Sequence, residues 1–294
     1  MYSTPTGTGL RLLFHSLAVT LVAMLILALA NKLVIDQGGL RIPDGETAVA
    51  SLSQRMRLRW LLLVNNFGLY GLPAILSLYL TFGRGWSRMA GLVRPVFQQV
   101  PRAVLAFLAS LPLVALAAYL NLQVDLPQWM AQDESESGAL LATVLDIQST
   151  PELLMTLFAV AVIAGLSEEL LFRGLLQGRL LPYIAGPHAA IWIAAFLFSA
   201  IHFQFAGFLP RFLLGAALGY TYRWTGSLYV PILLHMLFNG IQVVVAYATG
   251  TGPIEGELEG HGTTDYLVAL VSALIVAFLF IRSERYLTKP PASS

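Results

Sequence analysis

Ser167-Glu168-Glu169-Leu170-Leu171-Phe172-Arg173 closes an apolar stretch that begins near residue 152 and otherwise reads as a membrane span. Charged side chains at bilayer depth cost about 2.5–3.5 kcal/mol each on insertion scales, so they are kept where they serve a function. The surrounding composition supports the membrane reading. Of 294 residues 57% are hydrophobic and 11% charged, with mean hydropathy +0.72, whereas a typical soluble domain carries about 25% charged residues. The expected fold class is therefore an all-α polytopic membrane protein. A net charge of +1 gives no case for nucleic-acid binding, and the absence of cysteine excludes disulfides, thiolate zinc sites and thiol catalysis.

A span needs about 20 predominantly apolar residues. Eight candidates lie near 12–30, 60–82, 102–121, 152–172 (running on toward 181), 188–206, 208–223, 228–248 and 264–281, the sixth being short. No internal repeat is evident. Three regions follow: N-terminal helices and loops over 1–149, a core over 150–248 that carries the motifs, and a last loop, helix and tail over 249–294. Arg11, the apolar run after it and Ala28-Leu29-Ala30 resemble a signal peptide with a cleavage site. The run is longer than such peptides use, so a retained anchor is the reading.

Lys/Arg bias sets orientation. With a cytoplasmic N-terminus, the inside segments hold Arg11, Arg84, Arg88, Arg94, Arg102, Arg173, Arg179, Arg223, Arg282, Arg285 and Lys289, and the outside segments hold Lys32, Arg41, Arg55, Arg57, Arg59 and Arg211. Eleven against six, with eight spans, puts both termini inside. The loops 122–151 and 249–263 are acidic and agree. The misfit is the segment 31–59, where Arg55, Arg57 and Arg59 crowd the start of a span. It reads either as an interfacial amphipathic helix with Val49, Leu52 and Met56 on its apolar side or as a local topology error.

Adjacent helix residues point about 100° apart, so Glu168 and Glu169 are not expected to face one small site together. Glu169 and Arg173 stand at i,i+4 in the favourable order for an ion pair. That leaves Glu168 as the free carboxylate. Two further spans place Phe198 and His202 on one face, and His235 and Asn239 on another. Counting from a turn near Ala185-Gly186-Pro187, Glu168 and His202 are each 17 residues away and fall at one depth, whereas His235 is less constrained.

Two chemistries suit a Glu, two His and an Asn. Neutral histidines with a carboxylate can hold a divalent metal that activates water and polarises a carbonyl. Without metal, Glu168 and His202 can activate water while His235 and Asn239 donate hydrogen bonds to an oxyanion. The zincin H-E-x-x-H and the G-x-S-x-G patterns are both absent. An intramembrane Glu and His also suit a proton- or ion-coupled transporter, but no inverted repeat or matched broken helices accompany them.

Glu168-Glu169-x-x-x-Arg173, Phe198-x-x-x-His202 and His235-x-x-x-Asn239, in that order over residues 150–248, resemble the three signature motifs of the CPBP family. Its members are type II CAAX prenyl endopeptidases and bacteriocin-processing or immunity (Abi) proteins. The likeness extends to Phe172-Arg173-Gly174 and to Thr225-Gly226-Ser227 before Pro231. The resemblance implies an eight-helix intramembrane endopeptidase with a cavity open to the cytosol. It makes Glu168 the base for water. His202 and His235 become catalytic or, with Glu168, metal-binding; Asn239 supports the oxyanion or the metal; Glu169 and Arg173 hold the motif helix. The family is called metalloprotease, with a divalent metal such as zinc as cofactor, although a metal-free glutamate mechanism is also argued for it. The implied partners are membrane lipid and a peptide or protein substrate, prenylated in one class and a leader peptide or membrane protein in another. The implied location is a bacterial inner membrane. A non-catalytic immunity or scaffold protein would keep the same fold, but no motif residue is missing here.

Gly174-x-x-x-Gly178 and Gly215-x-x-x-Gly219 read as close-packing motifs. Asn65 and Asn66 read as interhelical hydrogen-bonding residues. His15, His188 and His261 have no partner pattern.

Overall fold

A computed structural model describes residues 6–36, 50–250 and 263–288. Among these there are helices and no strands. In chain order they are α1 (Thr6–Asp36), α2 (Leu52–Asn66), α3 (Leu72–Phe82), α4 (Trp86–Met89), α5 (Val100–Leu122), α6 (Gln128–Leu145), α7 (Thr150–Thr156), α8 (Ala164–Glu169), α9 (Pro187–Ala200), α10 (Phe208–Thr225), α11 (Tyr229–Thr249) and α12 (Thr263–Thr288). Arg41, Val49, Glu255, Glu257, Glu259, His261 and the tail from Lys289 lie outside the described residues.

A helix occupies each of the eight expected span positions. Six helical stretches are long and apolar enough to cross a membrane: Gly7–Leu33, Leu52–Met89, Phe97–Leu122, Thr150–Tyr183, Tyr229–Thr249 and Tyr266–Leu287. Helix α9 is apolar but has only 14 residues, about 21 Å at 1.5 Å per residue against a hydrocarbon core of about 30 Å. Its chain turns back before the expected end at 206, so His202 sits in the turn and not in the helix. The outer faces of α1 and α12 are rows of exposed Leu, Ile, Val and Phe, the surface a lipid-facing helix presents. Helix α1 runs unbroken through Ala28-Leu29-Ala30 and packs on α3.

The segment 122–151, expected as a loop, contains α6. Its acidic residues have work within the fold: Glu134 accepts the backbone N–H groups of Phe205 (2.8 Å) and Ala206 (3.2 Å) in the α9–α10 turn. Asn121 clamps the same turn, donating to Phe205 O at 2.8 Å and accepting from Leu209 N at 2.7 Å. Phe203 in this turn takes a positive φ of 52°.

The arginine misfit resolves in the same way. Arg55 and Arg59, one helical turn apart on α2, are 4% and 0% exposed and converge on buried Glu152 at the start of the motif helix. Arg55 Nε and Nη2 reach Glu152 at 2.8 and 3.1 Å, and Arg59 Nη1 reaches it at 2.7 Å. Arg59 also donates to the carbonyls of Val144 and Asp146. Two of the three misfit cations are thus internal structural groups and report nothing about which side of the membrane they face. Setting aside these two, and buried Arg173 on the other side, leaves ten against four for the same orientation.

The motif stretch is not one uniform helix. Leu157–Ile163 and Leu170–Leu180 are wound as wider π-helix on either side of α8. Another π turn, Phe67–Gly71, joins α2 to α3. It lies so close to α8 that a Cβ on Gly71 would stand 2.8 Å from Ser167 Oγ. Short π segments are frequent at functional sites.

Two apolar clusters brace the motif region. One joins Leu12, Leu78, Leu170, Leu175, Leu228 and Ile232. The other joins Phe107, Val114, Leu214, Leu218, Val230 and Leu234. Both glycine pairs serve close packing. A Cβ on Gly215 would lie 3.1 Å from Phe198 Cδ1 and 3.2 Å from Ala195, and one on Gly219 would lie 2.8 Å from Gln177 Oε1. Gly178 lies against Tyr222, and Gly174 against Ala90. Gly226, with φ of 64°, ends α10 by donating to Tyr222 O, a left-handed cap that favours glycine. Asn65 accepts from Asn31 at 3.0 Å, an interhelical bond as expected.

Candidate active site

Helix α8 and the π-helix after it place Glu168, Glu169 and Arg173 in the interior, at 5%, 0% and 1% exposure. Arg173 Nη1 donates to Glu169 Oε1 at 2.5 Å, and its Nη2 donates to Gly215 O at 2.7 Å. Arg173 also lies 5.0 Å from the centroid of the Phe198 ring. The i,i+4 pair expected in the sequence is present. It does more than join two turns, because it ties the motif helix to α10.

Helix α11 brings His235 against both glutamates. Its Nδ1 stands 2.9 Å from Glu169 Oε1, and its Nε2 stands 3.8 Å from Glu168 Oε2. This differs from the expectation that the two carboxylates would not share one site. The two nitrogens lie on different edges of the imidazole, so a ring wedged between diverging side chains meets one carboxylate with each. The depth count left His235 less constrained than His202; here His235 stands beside both carboxylates. Glu169 is the acceptor for His235 as well as for Arg173.

His202 donates Nδ1–H to Phe198 O at 2.7 Å, since a carbonyl only accepts. In the neutral ring the lone pair then sits on Nε2. Glu168 and His235 are both within electrostatic reach of His202. Phe198 separates the two imidazoles, with its ring centroid 5.2 Å from that of His202 and 5.8 Å from that of His235. Asn239 is half-buried on α11, and its Nδ2 donates to Val160 O at 3.0 Å. One of its two amide hydrogens is therefore engaged by the motif helix.

A metal would need His202, His235 and Glu168 to converge. His235 Nε2 and Glu168 Oε2 face each other, but among the described residues no three His, Cys, Asp or Glu side chains form a group set to hold a metal ion. As arranged, this donor set does not fit a metal.

One neighbour carried no motif in the sequence. Tyr70, on the π turn of the second span, lies within electrostatic reach of Glu168 and 6.3 Å, ring to ring, from Phe172. Phe172 meets Phe198 edge-on at 5.2 Å. The only sequence signal was Gly68-x-x-Gly71 beside Asn65 and Asn66 in an apolar run.

Comparison with known proteins agrees with the resemblance. Residues 150–241 match the family model described as type II CAAX prenyl endopeptidase Rce1-like. The chain is 27% identical over 118 residues to the uncharacterized protein YpbD of Bacillus subtilis (strain 168), covering 39% of this chain and 56% of that protein. It is 36% identical over 93 residues to the membrane-embedded CAAX protease MroQ of Staphylococcus aureus (strain USA300), covering 30% of this chain and 38% of that protein. The chain thus spans about half or less of the length of these relatives. No solved structure matches it significantly. The likeness read from the three motifs is therefore borne out, and the protein is an all-helical, multi-pass membrane protein.

Proposed function

We propose that this chain, whose residues 150–241 carry the Rce1-like match, is an intramembrane endopeptidase that hydrolyses a peptide bond in a membrane-associated peptide or protein. The observation that carries the reading is the burial of Glu168 beside His235, with Glu169 and Arg173 behind them as a fixed counter-charge. Two separate elements, the motif helix and α11, supply these groups.

In this reading Glu168 takes a proton from a water molecule. The water oxygen attacks the carbonyl carbon of the scissile bond, and Glu168 returns the proton to the departing amine nitrogen. His202 Nε2, a hydrogen-bond acceptor in the tautomer fixed by Phe198 O, orients the same water. The second amide hydrogen of Asn239 faces the developing oxyanion, where a fixed donor in a dry site contributes most, while His235, whose Nδ1–H donates to Glu169, keeps its Nε2 edge beside Glu168. Glu169 and Arg173 do not touch substrate. They hold the imidazole of His235 in place. In this reading the chain sits in a bacterial inner membrane with both termini cytoplasmic, an orientation that the excess of basic residues on that side supports.

Trapping tests the reading. Glu168→Gln keeps size and removes the base, so a substrate that binds is not cut. Affinity capture of that variant from its own membranes, followed by mass spectrometry, is expected to recover an uncut peptide or protein that the wild type yields only as fragments. Recovery of the same intact species with both forms would overturn the assignment.

A further inference from the structure

On the side of α10 away from the motif helix lies a cleft of about 490 Å³ bounded by α5, α9, α10 and α12, within the size range of ligand pockets, about 300–1,000 Å³. Its walls are almost wholly apolar. Small residues, among them Ala106, Ala216, Ala217, Ala273 and Ala277, leave the room between the helices. Along α10 the lining runs from Leu213 to Trp224, a length of about 16 Å at 1.5 Å per residue. Two of the helices that bound it, α5 and α12, lie in stretches long and apolar enough to cross a membrane, which sets the cleft among the lipid-facing helices.

One end of the cleft is polar and basic. Trp224 lines it and donates Nε1–H to Glu284 at 2.8 Å; Tyr220 lines it and pairs with His188 at 3.1 Å. Arg223 reaches Glu284 through Nε and Nη2 at 2.9 and 2.8 Å. Arg102, 5.8 Å from the Tyr286 ring, and exposed Arg282 and Arg285 on the last turns of α12 stand at the same end. Arg223 is thus paired with Glu284, while Arg102, Arg282 and Arg285 add positive charge on the neighbouring turns of α5 and α12. Basic residues beside an apolar slot attract the phosphate of a lipid whose chain the slot accepts.

We propose that this cleft is a lipid site: it holds one acyl chain of a membrane phospholipid, with the lipid phosphate at the Arg223 end. Apart from Ser110 and the polar tips of Trp192, Tyr220 and Trp224, the walls supply little for a peptide backbone to bond, whereas a hydrocarbon chain needs none. The site is separated from Glu168 by the thickness of α10. That helix offers Gly215 and Gly219 carbonyls to Arg173 and Gln177 on one side, and Ala216 and Ala217 to the cleft on the other. A chain in the cleft is therefore the back wall of the helix that braces the motif stretch. The proposal rests on the membrane embedding alone and stands apart from the peptidase reading.

Trp224 is 3% exposed, so lipid around the protein does not touch it, whereas a chain in the cleft does. With Trp60, Trp86, Trp129 and Trp192 replaced by Phe, the full chain is placed in phosphatidylcholine nanodiscs containing increasing dibrominated-acyl phosphatidylglycerol. A saturating loss of Trp224 emission is expected, and Ala217→Phe, which fills the cleft, is expected to abolish it. Emission that does not change, or that falls equally in both proteins, overturns the proposal. Native mass spectrometry of the chain with its tryptophans intact gives a second reading. One retained phospholipid that is lost in Ala217→Phe supports the site; retention by both forms or by neither counts against it.

Discussion

His235 and Glu169 meet at 2.9 Å in the interior, and the oxygen that faces the imidazole is the one that also receives Arg173. The second glutamate of the motif is thus a junction: it neutralises a buried guanidinium from its own helix and aims a ring from α11. Glu168, one residue earlier, has neither duty.

The two glutamates should therefore separate stability from activity. Glu169→Ala strands Arg173 without its partner, and breaking a buried pair in this way typically costs about 3–5 kcal/mol. Thermal unfolding in detergent is expected to show a large loss for Glu169→Ala and little change for Glu168→Gln, although both lose cleavage.

The Arg55–Glu152–Arg59 cluster predicts a stability effect far from the site. Glu152→Ala leaves two buried guanidiniums facing each other, and a loss of about 3–5 kcal/mol is expected by the same reasoning. Replacing Arg57 by Ala, which makes no such contact, is expected to leave unfolding within about 0.5 kcal/mol of wild type, as surface changes usually do.

Packing at α10 sets the third expectation. A Cβ on Gly219 would fall 2.8 Å from Gln177 Oε1 and from Ile191 Cγ2. Gly219→Ala must displace one of them, at a cost of about 1–3 kcal/mol for an overpacked contact. Unfolding measured beside the rate of cleavage checks whether moving α10 also weakens the hold on Arg173, as expected.

Orientation can be measured directly because the chain has no cysteine. Single cysteines at Gly85 and Ser135 lie on opposite sides in the orientation favoured by the basic residues. A membrane-impermeant maleimide applied to intact cells is expected to label Ser135→Cys and to spare Gly85→Cys; the reverse pattern would invert the topology.

Much of this was legible in the chain because period and spacing are local. Each apolar run coincides with a helix, six of the helical stretches being long and apolar enough to cross a membrane, and i,i+4 spacing pairs Glu169 with Arg173. The meeting of His235 with both glutamates was not legible, since equal-depth counting assumes straight helices with a uniform rise. The motif stretch instead changes to π-helix on either side of α8. Arg55 and Arg59 misled the charge count for a related reason: a sequence does not show which cations are neutralised internally. Tyr70 was missed because nothing in an apolar run marks the turn that faces a carboxylate 98 residues further on.

Chelation bears on the chemistry. Among the described residues no three His, Cys, Asp or Glu side chains form a group set to hold a metal ion, so the proposed steps use none, and cleavage is expected to survive exhaustive treatment with a zinc chelator. Loss of cleavage that is restored by zinc would move His202, His235 and Glu168 into a ligand set.

The most direct measurement compares new protein N-termini in membranes of cells that express the wild type or Glu168→Gln at equal levels. The account predicts at least one membrane-associated peptide or protein whose cleaved terminus is present with the wild type and absent with Glu168→Gln. Identical sets of termini, under conditions where the chain is expressed, would contradict it.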